Sequence, residues 1–125
     1  MVFQPTFGGI DIPQKIYDRI HKQEKIKCGA IVYNGKIVFK YQITAPRRIV
    51  SGMEKFTCLI EADNNGEFIE SYGEASGCGY DKKAHCLLSA CKRLYLDIKW
   101  TSCYIIEDIA RALELDINKC VFVSF

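Results

Sequence analysis

The spacing of apolar positions changes several times along the chain, and each change marks an element. Ile12, Ile16 and Ile20 step at helical spacing with Tyr17 beside them, while Lys15, Arg19 and Lys22 fall on the other side. That pattern predicts an amphipathic helix over about residues 12–24. Asp11 offers a side-chain oxygen as N-cap, and Pro13 falls in the first turn, where its missing N–H costs nothing. The residues before it, ending Phe7-Gly8-Gly9-Ile10, read as an extended lead or short edge strand.

The period then drops to that of strands. Asn34-Gly35 between two β-rich runs is a hairpin signature, because a type I′ turn needs positive φ at both loop positions. Such a loop pairs Tyr33 with Lys36 and Val32 with Ile37. Strict alternation then puts Cys28, Ala30, Val32, Ile37, Phe39 and Tyr41 on an apolar core face, with Ile31, Tyr33, Lys36, Val38 and Lys40 on a mixed face. Residues 45–54, with Pro46-Arg47-Arg48 and Ser51-Gly52, have no period and read as an exposed loop. A second hairpin follows, Phe56 to Ala62 and Glu67 to Tyr72, with Asn64-Asn65-Gly66 as its loop. That register gathers Phe56, Cys58, Ile60, Ala62, Phe68 and Tyr72 on one face, but also Glu70, which fits only at a rim.

Helical spacing returns after the Gly-dense stretch Gly73 to Tyr80. With Asp81 as N-cap, Ala84, Leu87, Leu88, Cys91, Leu94 and Tyr95 form a buried stripe; Cys86, Ser89 and Arg93 point away and His85 flanks it. Ser102 caps a shorter helix containing Ile106, Ile109, Ala110 and Leu113, and Cys120-Val121-Phe122-Val123 reads as a last strand at the sheet edge. The order α-β-β-β-β-α-α-β predicts a single α+β domain over residues 1–125, an antiparallel sheet of two hairpins plus a C-terminal strand with helices packed on one face.

Composition narrows the function classes. With 125 residues, 26% charged and 49% hydrophobic, the chain has a globular composition. Its apolar runs are far shorter than the roughly 20 residues of a membrane span. No basic segment followed by an apolar one opens the chain, so the expected location is the cytoplasm. The net charge of +2 conceals a basic half, residues 1–60 with ten Lys/Arg and four Asp/Glu, and an acidic half with seven and eleven. Two halves that complement each other on one surface explain this more simply than a basic footprint does. The seven cysteines are odd in number and lack Cys-x-x-Cys spacing, so they read as free thiols behaving as small hydrophobes. A zinc site built from Cys78, His85 or Cys86 and Cys91 lacks the spacing of structural sites. No metal or other cofactor is expected.

Chemistry has few footholds. Gly77 and Gly79 lead into a helix whose first turn holds Lys82 and Lys83, a place where backbone N–H groups attract anions. The Walker ending is missing, and turning the chain from strand to helix explains the glycines as well. Cys78 precedes the same helix with His85 one to two turns on, the sketch of a small cysteine-dependent enzyme, but no orienting group accompanies them. Glu61, Glu70 and Glu74 read as solvent-facing by alternation, and Glu107-Asp108 suits a first helical turn.

Two resemblances add expectations. The segment Gly77-Cys78-Gly79-Tyr80-Asp81-Lys82, running into an Ala/Cys/Leu-rich helix, looks like a turn in small orphan proteins of phages and other mobile elements. Some of these are anti-CRISPR inhibitors that block host defence by occluding a surface. That resemblance implies a non-enzymatic, phage-encoded inhibitor of a host protein or ribonucleoprotein. The order of helix, antiparallel strands, Gly-containing turn and a helix opening Asp81-Lys82-Lys83-Ala84-His85 also resembles double-stranded RNA-binding domains, which implies nucleic-acid contact through those lysines. Four strands instead of three, the loop at 45–54 and the length beyond the second helix depart from that pattern. Candidate partner contacts are Tyr33, Lys36 and Lys40 on the mixed hairpin face, Arg47 and Arg48 in the loop, and Lys82-Lys83, with Gly77, Gly79 and Lys82 as an anion-binding turn. The apolar ending Val121-Phe122-Val123-Ser124-Phe125 also offers an open edge that a second copy could cover, as a homodimer.

Overall fold

A computed structural model describes residues 10–46, 55–76, 82–100 and 104–125. The first helix, α1 (Gln14–Lys22), begins two residues later than its apolar period suggests. Pro13 occupies the N-cap position without a side-chain cap bond, so Asp11 does not cap it. Strands β1 (Glu24–Tyr33), β2 (Lys36–Ala45), β3 (Lys55–Asn64) and β4 (Glu67–Ser76) form an antiparallel meander. Then come α2 (Lys82–Arg93), α3 (Ile105–Ala112), a 3₁₀ turn at Ile117–Lys119, and β5 (Cys120–Ser124), which pairs antiparallel with β1. The sheet order is β4-β3-β2-β1-β5, so the two helices carry the chain from one edge of the sheet to the other. The antiparallel α+β architecture predicted from the pattern is the one observed. No helix among the described residues is long and apolar enough to cross a membrane.

Both hairpins turn on left-handed residue pairs, Asn34-Gly35 and Asn65-Gly66, all with positive φ. In the first, Tyr33 pairs with Lys36 and Val32 with Ile37, as the type I′ loop requires. Two residues further on the parity changes. Ile31 pairs with Phe39, leaving Val38 as an extra residue in a β-bulge. The core face therefore holds Ile31, Phe39 and Tyr41, while Ile37 is exposed. Alternation without a bulge gives the wrong partner set for β1, and Cys28, Ala30 and Val32 lie on the other side. In the second hairpin Asn64 pairs with Glu67, so the loop is two residues and not three. That shift moves Phe68, Glu70 and Tyr72 off the core face and puts Ile69, Ser71 and Gly73 on it, which removes the misfit at Glu70.

The main core lies between this face and the pair α2 and α3. Ile43, Cys58, Ile60 and Ala62 meet Cys86, Leu87, Ala90, Cys91 and Leu94 from α2 and Ile109, Ala110 and Leu113 from α3. Cys86 belongs to the buried side of α2, not to the outward side that the helical wheel assigns it. Helix α2 comes unusually close to β4. A Cβ on Gly73 would collide with the Cys86 carbonyl and the Ala90 nitrogen, and Ser71 Oγ donates to Ala90 C=O at 2.8 Å. The helices expected on one face are α2 and α3. By contrast, α1 meets residues of the opposite parity: Tyr17 OH donates to Glu70 at 3.0 Å, Arg19 bonds Glu74 at 2.6 Å, and Gln23 Oε1 accepts from Thr44 at 3.0 Å.

Candidate protein-binding surface

Helices α2 and α3 end in the same way. Leu96 N–H donates to Cys91 C=O and Tyr95 N–H to Lys92 C=O, and Leu115 and Glu114 repeat this on Ala110 and Arg111. This is the Schellman closure, whose left-handed residue is usually glycine. Here it is Tyr95 at φ 60° and Glu114 at φ 62°. The left-handed turn takes Tyr95 off the helical period, so a side chain that sequence spacing assigns to the buried stripe stands 69% exposed.

From Tyr95 the chain doubles back along α2. Leu96 is buried and Ile98 packs against the core, which fixes the return path. Trp100 reaches the start of α2, where its ring meets His85 edge-on at 5.3 Å between centroids. Tyr95 and Trp100, which lies against His85, thus stand nearly three helical turns apart along α2, at about 3.6 residues per turn. Between α2 and the returning segment lies an open cleft of about 500 Å³ lined by Leu88, Lys92, Tyr95, Leu96, Asp97 and Ile98. An apolar floor, two exposed aromatics and a charged rim are the composition of a protein-contact patch. The sequence signal was available: an aromatic two residues past the last helical turn, followed by the alternating Leu96, Ile98 and Trp100.

The candidate contacts drawn from sequence do not form one patch. Tyr33 and Lys36 sit opposite each other at the first hairpin tip, and Tyr33 lines a cleft of about 280 Å³ with Val38, Asp63, Asn65 and Leu113 to Leu115. Because of the bulge, Lys40 lies on the other face of the sheet from Tyr33 and Lys36, across from Glu61. Lys82 is only 7% exposed, and its ammonium rests 5.2 Å from the centre of the Phe56 ring. A buried lysine held on an aromatic face is not placed to meet phosphate. Lys83 is exposed. Arg47, Arg48, Gly77, Gly79 and Cys78 lie outside the described residues, as do the proposed caps Asp81 and Ser102.

Three ion pairs join the basic half of the chain to the acidic half, while Arg111 pairs with Glu107 and Asp108 within the acidic half. Glu74 binds Arg19 and Lys55, at 2.6 and 3.1 Å, and Lys36 lies 3.7 Å from Asp63. This is the pattern expected of two complementary halves of one surface. Burial pushes the Glu74 carboxyl up, but Lys55 and Arg19 outweigh it and hold the group below the ordinary carboxylate range. Burial also pushes the Cys58 and Cys91 thiols well up, and Cys58 Sγ donates to Cys86 C=O at 3.1 Å. These thiols are packing groups, far from the low-pKa state of a nucleophile. Among the described residues no cluster of His, Cys, Asp and Glu is arranged to hold a metal ion.

Comparison with protein-family models, curated proteins and solved structures returned no match.

Proposed function

We propose that this chain is a non-enzymatic binding protein that acts by covering a surface of a protein partner, and that its contact is the cleft between α2 and the returning segment 95–100. The observation that carries this reading is Tyr95, presented to solvent by a left-handed backbone at the mouth of an apolar cleft. Tyr and Trp carry much of the energy of protein interfaces when they enter a partner's pocket. The resemblance of the Gly77–Lys82 segment supports a host defence protein or ribonucleoprotein as the partner, and inhibition by occlusion as the activity.

A salt series on the captured complex tests the class of partner. An interface built on Tyr95, Trp100 and Leu88 keeps its affinity within a few-fold between about 50 and 200 mM salt, whereas a binder making several phosphate contacts loses orders of magnitude. A steep salt slope, or capture of bare nucleic acid, overturns the reading in favour of a nucleic-acid module.

A further inference from the structure

A second surface, separate from that cleft, is the open edge of the sheet at β5. β5 is the outermost strand, and among the described residues none pairs with its outer side. Phe125 N–H donates to Cys28 C=O at 3.1 Å. Backbone groups alternate in direction along an antiparallel ladder, so Val121, Val123 and Phe125 turn theirs toward β1, and Phe122 and Ser124 turn theirs outward. Cys120 N–H is already bonded to Ile117 C=O. Phe122 shares the parity of core-facing Ile31. Val121 and Phe125 project on the opposite face, 59% and 79% exposed.

The two sheet edges differ in charge. β4 carries Glu67 and Glu70 besides the ion-paired Glu74, whereas residues 120–125 carry no charged side chain. A strand paired antiparallel with its own copy brings its side chains against themselves, so β4 repels itself and β5 does not.

We propose that β5 pairs antiparallel with β5 of a second copy of this chain, about a two-fold axis at Val123. In that register Phe122 of each copy exchanges both backbone hydrogen bonds with Ser124 of the other, so the outward N–H groups are satisfied. Val121 comes to lie opposite Phe125 of the second copy, and the exposed apolar side chains cover one another. Moving the axis to Phe122 would instead require the Cys120 N–H that Ile117 already holds. The contact is isologous and closes at two copies.

Sedimentation equilibrium of the whole chain at micromolar concentration tests this, with circular dichroism to confirm folding of each variant. The expected species has twice the 14.3 kDa mass of the chain. Val121→Lys sets a lysine on each side of the axis and is expected to return the mass to that of one chain. Adding Phe125→Glu to Val121→Lys places opposite charges face to face and is expected to restore the doubled mass. A wild-type chain that stays single, a dimer indifferent to Val121→Lys, or a double variant that does not re-form the dimer overturns the proposed pairing.

Discussion

Single side chains in this protein are set by electrostatic and backbone context more than by their intrinsic type. Glu74 is the clearest case. With its carboxyl held low by Lys55 and Arg19, the unfolded chain takes up this proton before the folded one does as pH falls. The stability that Glu74 contributes is therefore complete above the unfolded carboxylate range, and is lost as pH drops through the folded value. Glu74→Gln is expected to lower stability at about pH 7 and to narrow its gap to wild type by about pH 3, read from urea midpoints at each pH. A gap independent of pH would remove the ion pairs from the account. Lys82 illustrates the same point in reverse. Its place in a lysine pair after a glycine turn suggests an anion site, yet the Phe56 ring holds it inside the fold. Nothing in the spacing of the sequence distinguishes those two outcomes, because they depend on which ring lies across from the first helical turn.

The elements themselves were legible. Four strands in two hairpins, two helices after them and a closing strand all follow from periodicity and from Asn-Gly turns. What the pattern could not supply was parity. A single bulge at Val38 and a loop one residue shorter than expected exchange the inner and outer faces of parts of both hairpins. A bulge has no composition signature, since Val38 is as apolar as the residues beside it. Glu70 on the supposed core face was the one mismatch in the sequence that pointed to the shorter loop. The fit of α2 on β4 is likewise an element-scale property, because Gly73 is needed for proximity and not for a turn. Gly73→Ala is expected to destabilise the fold by about 3 kcal/mol, since neither helix backbone atom in its path can rotate aside. Denaturant unfolding that shows no loss would mean that α2 does not lie this close.

At the scale of the whole molecule, the connection through α2 and α3 spans the sheet and leaves two different surfaces for contact. The outer edge of β5 is unpaired among the described residues and carries no charged side chain, and the α2 cleft presents Tyr95 beside Lys92 and Asp97. The basic residues that stand out in the sequence are divided among a hairpin tip, the opposite sheet face and a buried site, so no single cationic face emerges from those described. The partner-contact reading rests instead on Tyr95, and the same backbone feature makes it testable without harming the fold. A left-handed residue costs roughly 1–2 kcal/mol unless it is glycine. Tyr95→Gly therefore relieves strain at the end of α2 while deleting the exposed ring. The most direct measurement is the affinity of wild type and Tyr95→Gly for the captured protein partner, alongside their thermal midpoints. The account predicts a loss of about 30-fold or more in affinity, the scale of an aromatic hot spot, with an equal or higher midpoint. Unchanged affinity in a variant that folds as well as wild type would contradict it.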